Sequence, residues 1–120
     1  TEQTVALASE WKKVAPNFGE YLAWSNISCS YWQAEATGVP KEITAPGTPT
    51  ILVVGNINDP ATPYAWSQSL ASQLSKGVLL TLDGDGHTAY YQGSKCIDKV
   101  VDNFYLTGEA KSGITCTDGP

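Results

Sequence analysis

The chain has 120 residues, of which 42% are hydrophobic, and its formal net charge is −5 at pH 7. This length allows one domain at most, and the many apolar residues with few charges argue against a disordered chain. Its seven basic residues are all lysines, scattered along an acidic chain, which excludes nucleic-acid binding, and no stretch reaches the roughly 20 apolar residues of a membrane span.

The first predicted segment is helical and covers residues 1–27. Apolar side chains at helical spacing predict an amphipathic helix over residues 3–15, which Pro16 ends. The positions that define its apolar face are Val5, Ala8, Trp11 and Val14. Residues 28–49 follow as a connector, because glycine and proline recur through them.

Residues 50–106 have the pattern strand, helix, strand, helix. Residues 51–54 are a continuous apolar run, which is typical of a parallel strand covered on both faces, and residues 78–82 are predicted as a second such strand. The predicted fold class is therefore α/β, with about two parallel strands and flanking helices. Two strands make a poor sheet, so we expect further strands upstream, or self-association with another copy of the chain, to cover them.

The helices of this unit have their own start and stop signals. The first is predicted to begin with Thr62 as its N-cap and Pro63 in its first turn, and to end at Gly77. Its buried stripe is predicted at Trp66, Leu70 and Leu74. The second is predicted to begin at Ser94 and to end at Gly108. Its inward face is predicted at Ile97, Val100, Val101 and Phe104.

The chain contains three cysteines, whose spacing matches no zinc site. A bridge between Cys96 and Cys116 would hold the polar tail at residues 107–120, which leaves Cys29 as the odd thiol. The alternative is three reduced, buried thiols in a cytosolic protein. The chain also has no methionine, so we expect a processed product or part of a longer protein, with residues 1–120 as a single partial domain.

Two residues that follow the predicted strands could carry chemistry. Asp59 comes after the first strand and His87, the chain's only histidine, after the second. Because ligands bind at the carboxyl ends of parallel strands, both side chains should reach one crevice. A serine hydroxyl needs an imidazole to accept its proton, and that imidazole needs a carboxylate to orient it. Asp59 and His87 are therefore the candidate acid and base of a hydrolytic triad.

Other readings of these residues remain open. Asp59 precedes a proline and could serve only its turn, and His87 could be a structural loop residue. Asp83 and Asp85 could orient His87 instead, but we rank them below Asp59, because an acid from the loop after the neighbouring strand fits the geometry better.

Metal and cofactor sites are not predicted. The run of aspartates and glycines before His87 does not complete an EF-hand calcium loop, because Thr88 and Ser94 stand where glycine and glutamate are required. The turn after Gly55 is not the glycine-rich turn of a dinucleotide site. A serine nucleophile is missing as well, since no Gly-x-Ser-x-Gly motif occurs in the chain.

Three motifs together resemble one family. They are Asp59-Pro-Ala-Thr-Pro63, Gly84-Asp-Gly-His87 and Ser94-Lys-Cys96. The chain resembles the C-terminal, TAP-like domain of secreted tripeptidyl aminopeptidase-related α/β-hydrolases, which are mostly actinobacterial. The resemblance implies that Asp59 and His87 are the triad acid and base, that Cys96 and Cys116 form a C-terminal disulfide, and that Cys29 pairs with an upstream cysteine.

The resemblance also sets the expected function. We expect the C-terminal part of a secreted or cell-envelope serine peptidase, which acts on peptides together with an N-terminal hydrolase portion and needs no cofactor. Without the nucleophile the chain should be inactive alone. The alternatives are a non-catalytic binding or assembly module on the same fold, and part of an esterase or a proline iminopeptidase-type hydrolase.

Overall fold

The computed structural model describes residues 2–25, 27–35 and 37–117, and the chain divides into two compact units, Thr1–Pro40 and Lys41–Pro120. Thr1 and Asn26 of the predicted helical segment and residues 118–120 of the predicted tail lie outside the described residues. None of the helices in the described ranges is long and apolar enough to cross a membrane.

The first unit contains two α-helices, α1 (Glu2–Val14) and α2 (Gly19–Ser25), and a 3-10 helix at Ile27–Tyr31. Small side chains lie where α1 and α2 pack, since Ala8 and Ala23 are both buried. A Cβ on Gly19 would lie 2.1 Å from the carbonyl oxygen of Trp11, so only glycine allows this approach. The predicted apolar face of the first helix is mostly exposed: Val5, Trp11 and Val14 all face solvent.

The second unit is a three-stranded parallel sheet with two helices, counted over the described residues. Its elements are β1 (Ile51–Asn58), α3 (Tyr64–Gln73), β2 (Gly77–Asp85), α4 (Lys95–Thr107) and β3 (Ile114–Cys116). The strand order is β1-β2-β3. The predicted α/β class is confirmed, with one strand more than predicted, because β3 lies within the segment predicted as a tail.

The core of this unit lies between β2, β3 and α4. Its buried residues are Leu80, Leu82, Ala89, Ile97, Val101 and Cys116. As predicted, Ser94 caps α4, since its hydroxyl oxygen accepts a hydrogen bond from the Ile97 N–H at 3.1 Å. Gly108 ends the helix in the left-handed conformation with φ at 72°.

A disulfide joins the start of α4 to β3. It links Cys96 to Cys116 with a Cα–Cα distance of 5.7 Å. Cys116 is fully buried, so the bridge forms part of the core around Ile97. Cys29 is exposed and takes no part in this bridge, and its predicted partner upstream stays a prediction.

The predicted ends of α3 are wrong. Pro63 takes the N-cap position, and its side chain has no hydrogen-bonding atom to offer the helix. Thr62 instead directs its hydroxyl at Asp59. At the other end the C-cap is Leu74 in an extended conformation, and Gly77 is the first residue of β2.

The predicted buried stripe of α3 is also wrong at two of its three positions. Trp66 is 64% exposed and Leu70 is 38% exposed, and Leu74 alone of the three is buried. The reason is the close approach of the helix to β1, where Ser67 faces Gly55. A Cβ on Gly55 would lie 2.6 Å from the Ser67 Cβ, so the small side chain of Ser67 occupies the point where the helix comes nearest to β1.

Candidate active site

The carboxyl ends of β1 and β2 bring Asp59 and His87 together. The two strands are neighbours, and Asn58 pairs with Asp85 at their ends after an irregularity in register between Asn56 and Asn58. Asp59 is the first residue after β1, and His87 follows β2 by two residues. The polypeptide therefore leaves the sheet at one edge with both side chains in reach of each other.

The ring of His87 contacts both oxygens of the Asp59 carboxylate. Nδ1 lies 3.0 Å from Oδ2 and 3.1 Å from Oδ1. The Asp59 side chain is 5% exposed, whereas that of His87 is 51% exposed. A buried carboxylate thus lies within hydrogen-bond distance of an imidazole that is partly exposed to solvent.

Three donors in the loop after β1 hold the carboxylate in place. The backbone N–H groups of Ala61 and Thr62 both donate to Oδ1 at 2.8 Å. The Thr62 hydroxyl donates to Oδ2, also at 2.8 Å, and lies 3.5 Å from Nδ1 of His87. The local turn that follows Asp59 therefore fixes both of its oxygens.

These donors favour the ionised form of Asp59. The Thr62 N–H holds the pKa of the carboxyl far below its ordinary value, helped by the Ala61 N–H, the His87 ring and the Thr62 hydroxyl, while desolvation opposes them. Asp59 is therefore an anion that can only accept hydrogen bonds at neutral pH. In a neutral imidazole the bond to Asp59 requires the proton on Nδ1, which leaves the Nε2 lone pair available to accept a proton.

The other two predicted acids lie elsewhere. Asp85 accepts a hydrogen bond from the Asn58 side chain at 3.0 Å, and Asp83 is exposed on β2. Among the described residues, the carboxylate that pairs with the His87 ring is that of Asp59. No group of three or more His, Cys, Asp or Glu side chains within the described ranges could hold a metal ion.

Sequence reasoning missed two residues that support the site. Thr62 was expected to cap α3, although a threonine three residues after an aspartate is also placed to bond that aspartate in a turn. Asn56 stands near the end of an apolar strand, where a buried amide needs a polar partner. Its side chain donates to the backbone carbonyls of Gly86 and Thr88.

Comparison with known proteins gives one family and several relatives. An α/β-hydrolase family model described as "TAP-like protein" matches residues 15–116. The chain is 37% identical over 109 residues to serine protease Hip1 of Mycobacterium tuberculosis, a match covering 88% of the chain and 21% of that protein. It is 35% identical over 107 residues to carboxylesterase B of the same species, covering 87% and 20%.

A further similar protein comes from another genus. The chain is 30% identical over 96 residues to tripeptidyl aminopeptidase of Streptomyces lividans, a match that covers 78% of the chain and 18% of that protein. The chain spans about a fifth of the length of the curated relatives it matches.

Proposed function

Because the chain belongs to the TAP-like family of α/β-hydrolases, we propose that it supplies the acid and the base of a serine-hydrolase triad. Asp59 is the acid and His87 the base. This chain contains no Gly-x-Ser-x-Gly motif. The serine nucleophile therefore lies in the part of the protein outside this chain. The chain alone is then inactive, and its first partner is the N-terminal hydrolase portion.

One observation carries this assignment. His87 Nδ1 lies within hydrogen-bond distance of both Asp59 oxygens while about half of the His87 side chain remains exposed. A general base requires an oriented ring with one free nitrogen, and an anionic partner supplies both the orientation and the stabilisation of the imidazolium. The exposed side of the ring is where a nucleophile would approach.

The proposed chemistry is acyl transfer through a covalent intermediate. His87 Nε2 takes the proton of the serine hydroxyl while the serine oxygen bonds to the substrate carbonyl carbon. His87 then gives that proton to the leaving amine nitrogen as the C–N bond breaks. Water repeats the sequence on the acyl-enzyme, which releases the carboxylic acid and restores the serine.

The proposed substrate is a peptide cleaved near its free N-terminus. The names of two relatives, a serine protease and a tripeptidyl aminopeptidase, support this class. The relative named carboxylesterase B favours a second candidate, ester hydrolysis, which the same acid and base would serve. Pocket and lid residues outside this chain would decide between the two.

We also propose export from the cytoplasm. The observation in its favour is the Cys96–Cys116 disulfide, because such bridges persist in oxidising compartments and are rare in the cytosol.

The assignment is tested in the full-length protein that contains this chain. Asp59→Asn and His87→Ala should each lower kcat by about three orders of magnitude or more. Asp83→Asn is the matched control, since it removes an exposed carboxylate from the neighbouring strand and should leave kcat unchanged. Near-normal turnover in either triad variant would remove that residue from the mechanism.

Two further measurements separate the alternatives. Comparing kcat/KM for tripeptide anilides and for short acyl esters distinguishes a peptidase from an esterase. A fluorophosphonate probe should label the full-length protein and leave the 120-residue chain unlabelled. If the full-length protein takes up no probe and hydrolyses neither substrate, the fold serves a non-catalytic binding or assembly role.

A further inference from the structure

Asn56 is a buried polar residue within the apolar strand β1. It is 3% exposed, and its neighbours on the strand include the buried residues Val53 and Gly55. Its side-chain nitrogen Nδ2 lies 2.9 Å from the carbonyl oxygen of Gly86 and 2.8 Å from that of Thr88. These two carbonyls belong to the residues immediately before and after His87.

The chemistry of the partners fixes the orientation of the amide. Both are backbone carbonyl oxygens, which can only accept hydrogen bonds, so the NH₂ group of Asn56 must face them. Each of its two protons serves one carbonyl. The side chain therefore forms a bridge across the backbone on both sides of His87, anchored in a strand of the sheet.

The backbone that this bridge holds is strained. Gly86 has φ at 99° and Thr88 has φ at 66°. Positive φ is open to glycine, but for a β-branched residue such as Thr88 it is an outlier that persists only when the surroundings impose it. The hydrogen bonds from Asn56 end on the carbonyls of these same two residues, so they supply such a restraint.

The position of Asn56 also links the two halves of the site. Asp59 follows Asn56 by three residues on the chain that leaves β1, whereas His87 lies on the loop after β2. A restraint from Asn56 to the His87 loop therefore fixes the base relative to the strand that presents the acid. The neighbouring residue Asn58 makes a different link, to the exposed side chain of Asp85.

We propose that Asn56 is a positioning residue for His87, which holds the loop so that Nδ1 faces Asp59 and Nε2 stays free. The bridge acts through the backbone of Gly86 and Thr88 and does not touch the reacting atoms. The effect of the bridge on catalysis rests on the proposed function, whereas its effect on the orientation of the His87 ring does not.

The first test uses the fact that His87 is the chain's only histidine. Nitrogen-15 NMR of the 120-residue chain should show the neutral ring in its Nδ1–H form, with a slowly exchanging Nδ1–H proton. Asn56→Ala should lose that proton signal and give a mixture of tautomers. Asn58→Ala, which removes an exposed amide of the same strand, should keep the wild-type spectrum. A folded Asn56→Ala chain with the wild-type ring spectrum would overturn the proposal.

A second measurement needs no variant. In the wild-type chain, both side-chain protons of Asn56 should exchange slowly with solvent and show couplings through hydrogen bonds to the carbonyl carbons of Gly86 and Thr88. The side-chain protons of Asn58 provide the comparison, because that residue is exposed. Equally fast exchange at both asparagines would contradict the bridge even if Asn56→Ala failed to fold.

The third test separates positioning from the triad assignment itself. In the full-length enzyme Asn56→Ala should lower kcat by about 10- to 100-fold with little change in KM, because a misplaced base affects the transition state more than substrate binding. If Asn56→Ala changes the His87 ring spectrum but Asp59→Asn and His87→Ala lose no activity, the proposed function fails and the positioning role of Asn56 stands. If the triad variants are inactive and Asn56→Ala is fully active, the proposed function stands and the positioning role of Asn56 fails.

Discussion

Thr62 donates two hydrogen bonds to the Asp59 carboxylate, one from its backbone N–H to Oδ1 and one from its hydroxyl to Oδ2, both at 2.8 Å. A single residue thus engages both oxygens of the proposed triad acid. The same hydroxyl lies 3.5 Å from His87 Nδ1, so Thr62 borders the contact between acid and base. Its side chain should therefore matter to the chemistry although it was expected only to cap a helix.

Replacing the hydroxyl should weaken the site without breaking the turn. Thr62→Val keeps the shape of the side chain and the backbone N–H but removes the donor to Oδ2. We expect kcat/KM of the proposed full-length hydrolase to fall by about tenfold, because the carboxylate loses one charge-assisted hydrogen bond that orients it. Thr62→Ser retains the hydroxyl and should stay near wild type. Equal activities in Thr62→Val and wild type would show that the backbone donors suffice.

The ionisation of Asp59 should appear in the stability of the chain at acidic pH. The hydrogen bond from the Thr62 N–H holds the folded-state pKa of Asp59 below its unfolded value of about 3.9. The unfolded chain therefore binds the proton more readily, so this contribution is present above that unfolded pKa and is lost as the pH falls below it.

Urea unfolding measured at about pH 6 and about pH 3 tests this sign. The free energy of unfolding should fall less on acidification in Asp59→Asn than in wild type, because the amide does not titrate. Asp83→Asn serves as the control, since it removes a carboxylate without touching the hydrogen bonds of Asp59. Parallel losses in wild type and Asp59→Asn would contradict the origin assigned to the shift.

Local signals in the sequence were enough for the strands and for α4. The apolar runs gave β1 and β2, and Ser94 and Gly108 marked the ends of α4, because caps and doubly covered strands depend on nearby residues. The strand β3 has three residues and exists through its pairing with β2, a long-range contact that no local pattern encodes. The predicted buried face of α3 was wrong for a related reason, since the close contact of Gly55 with Ser67 overrides hydrophobic periodicity.

The residues of the candidate site also divide into those that the sequence predicts and those that it does not. Asp59 and His87 were found because both follow strand ends that a parallel sheet brings together. The supporting residues were missed because their roles depend on partners distant in sequence: Asn56 bonds to carbonyls about thirty residues later. Their chemical types gave little warning, since threonine and asparagine are common in turns and at strand ends.

The close approach of α3 to β1 predicts a steric penalty at Gly55. In Gly55→Ala the new Cβ would lie 2.6 Å from the Ser67 Cβ and 2.7 Å from its Oγ. We expect a loss of about 1–3 kcal/mol in the free energy of unfolding, since overpacking displaces the helix. Gly38→Ala is the matched control, because nothing lies within 4 Å of its added Cβ.

A compensating substitution identifies the cause of that loss. Ser67→Gly removes the two atoms that the new Cβ would approach most closely, so the double variant should recover part of the stability lost in Gly55→Ala. Thermal unfolding of wild type, the two single variants and the double variant gives the coupling free energy between the two positions. Additive losses would mean that the helix does not approach β1 at this point.

The disulfide should stabilise β3 more than any other element. Cys96 lies at the start of α4 and Cys116 at the end of β3, at a sequence separation of 20. Closing a loop of this size removes entropy worth about 3 kcal/mol from the unfolded chain. The double variant Cys96→Ala/Cys116→Ala should therefore melt more than about 10 °C lower than wild type, whereas Cys29→Ala should not change the melting temperature.

Hydrogen exchange distinguishes this local effect from a general weakening. The β3 strand is held to β2 by the pairs Leu80–Ile114, Thr81–Thr115 and Leu82–Cys116. Without the covalent link, a three-residue edge strand has too few contacts to stay closed, so its amides should exchange much faster than those of β1. Unchanged protection of residues 114–116 in the double variant would show that the pairing and the buried position of Cys116 hold the strand without the bridge.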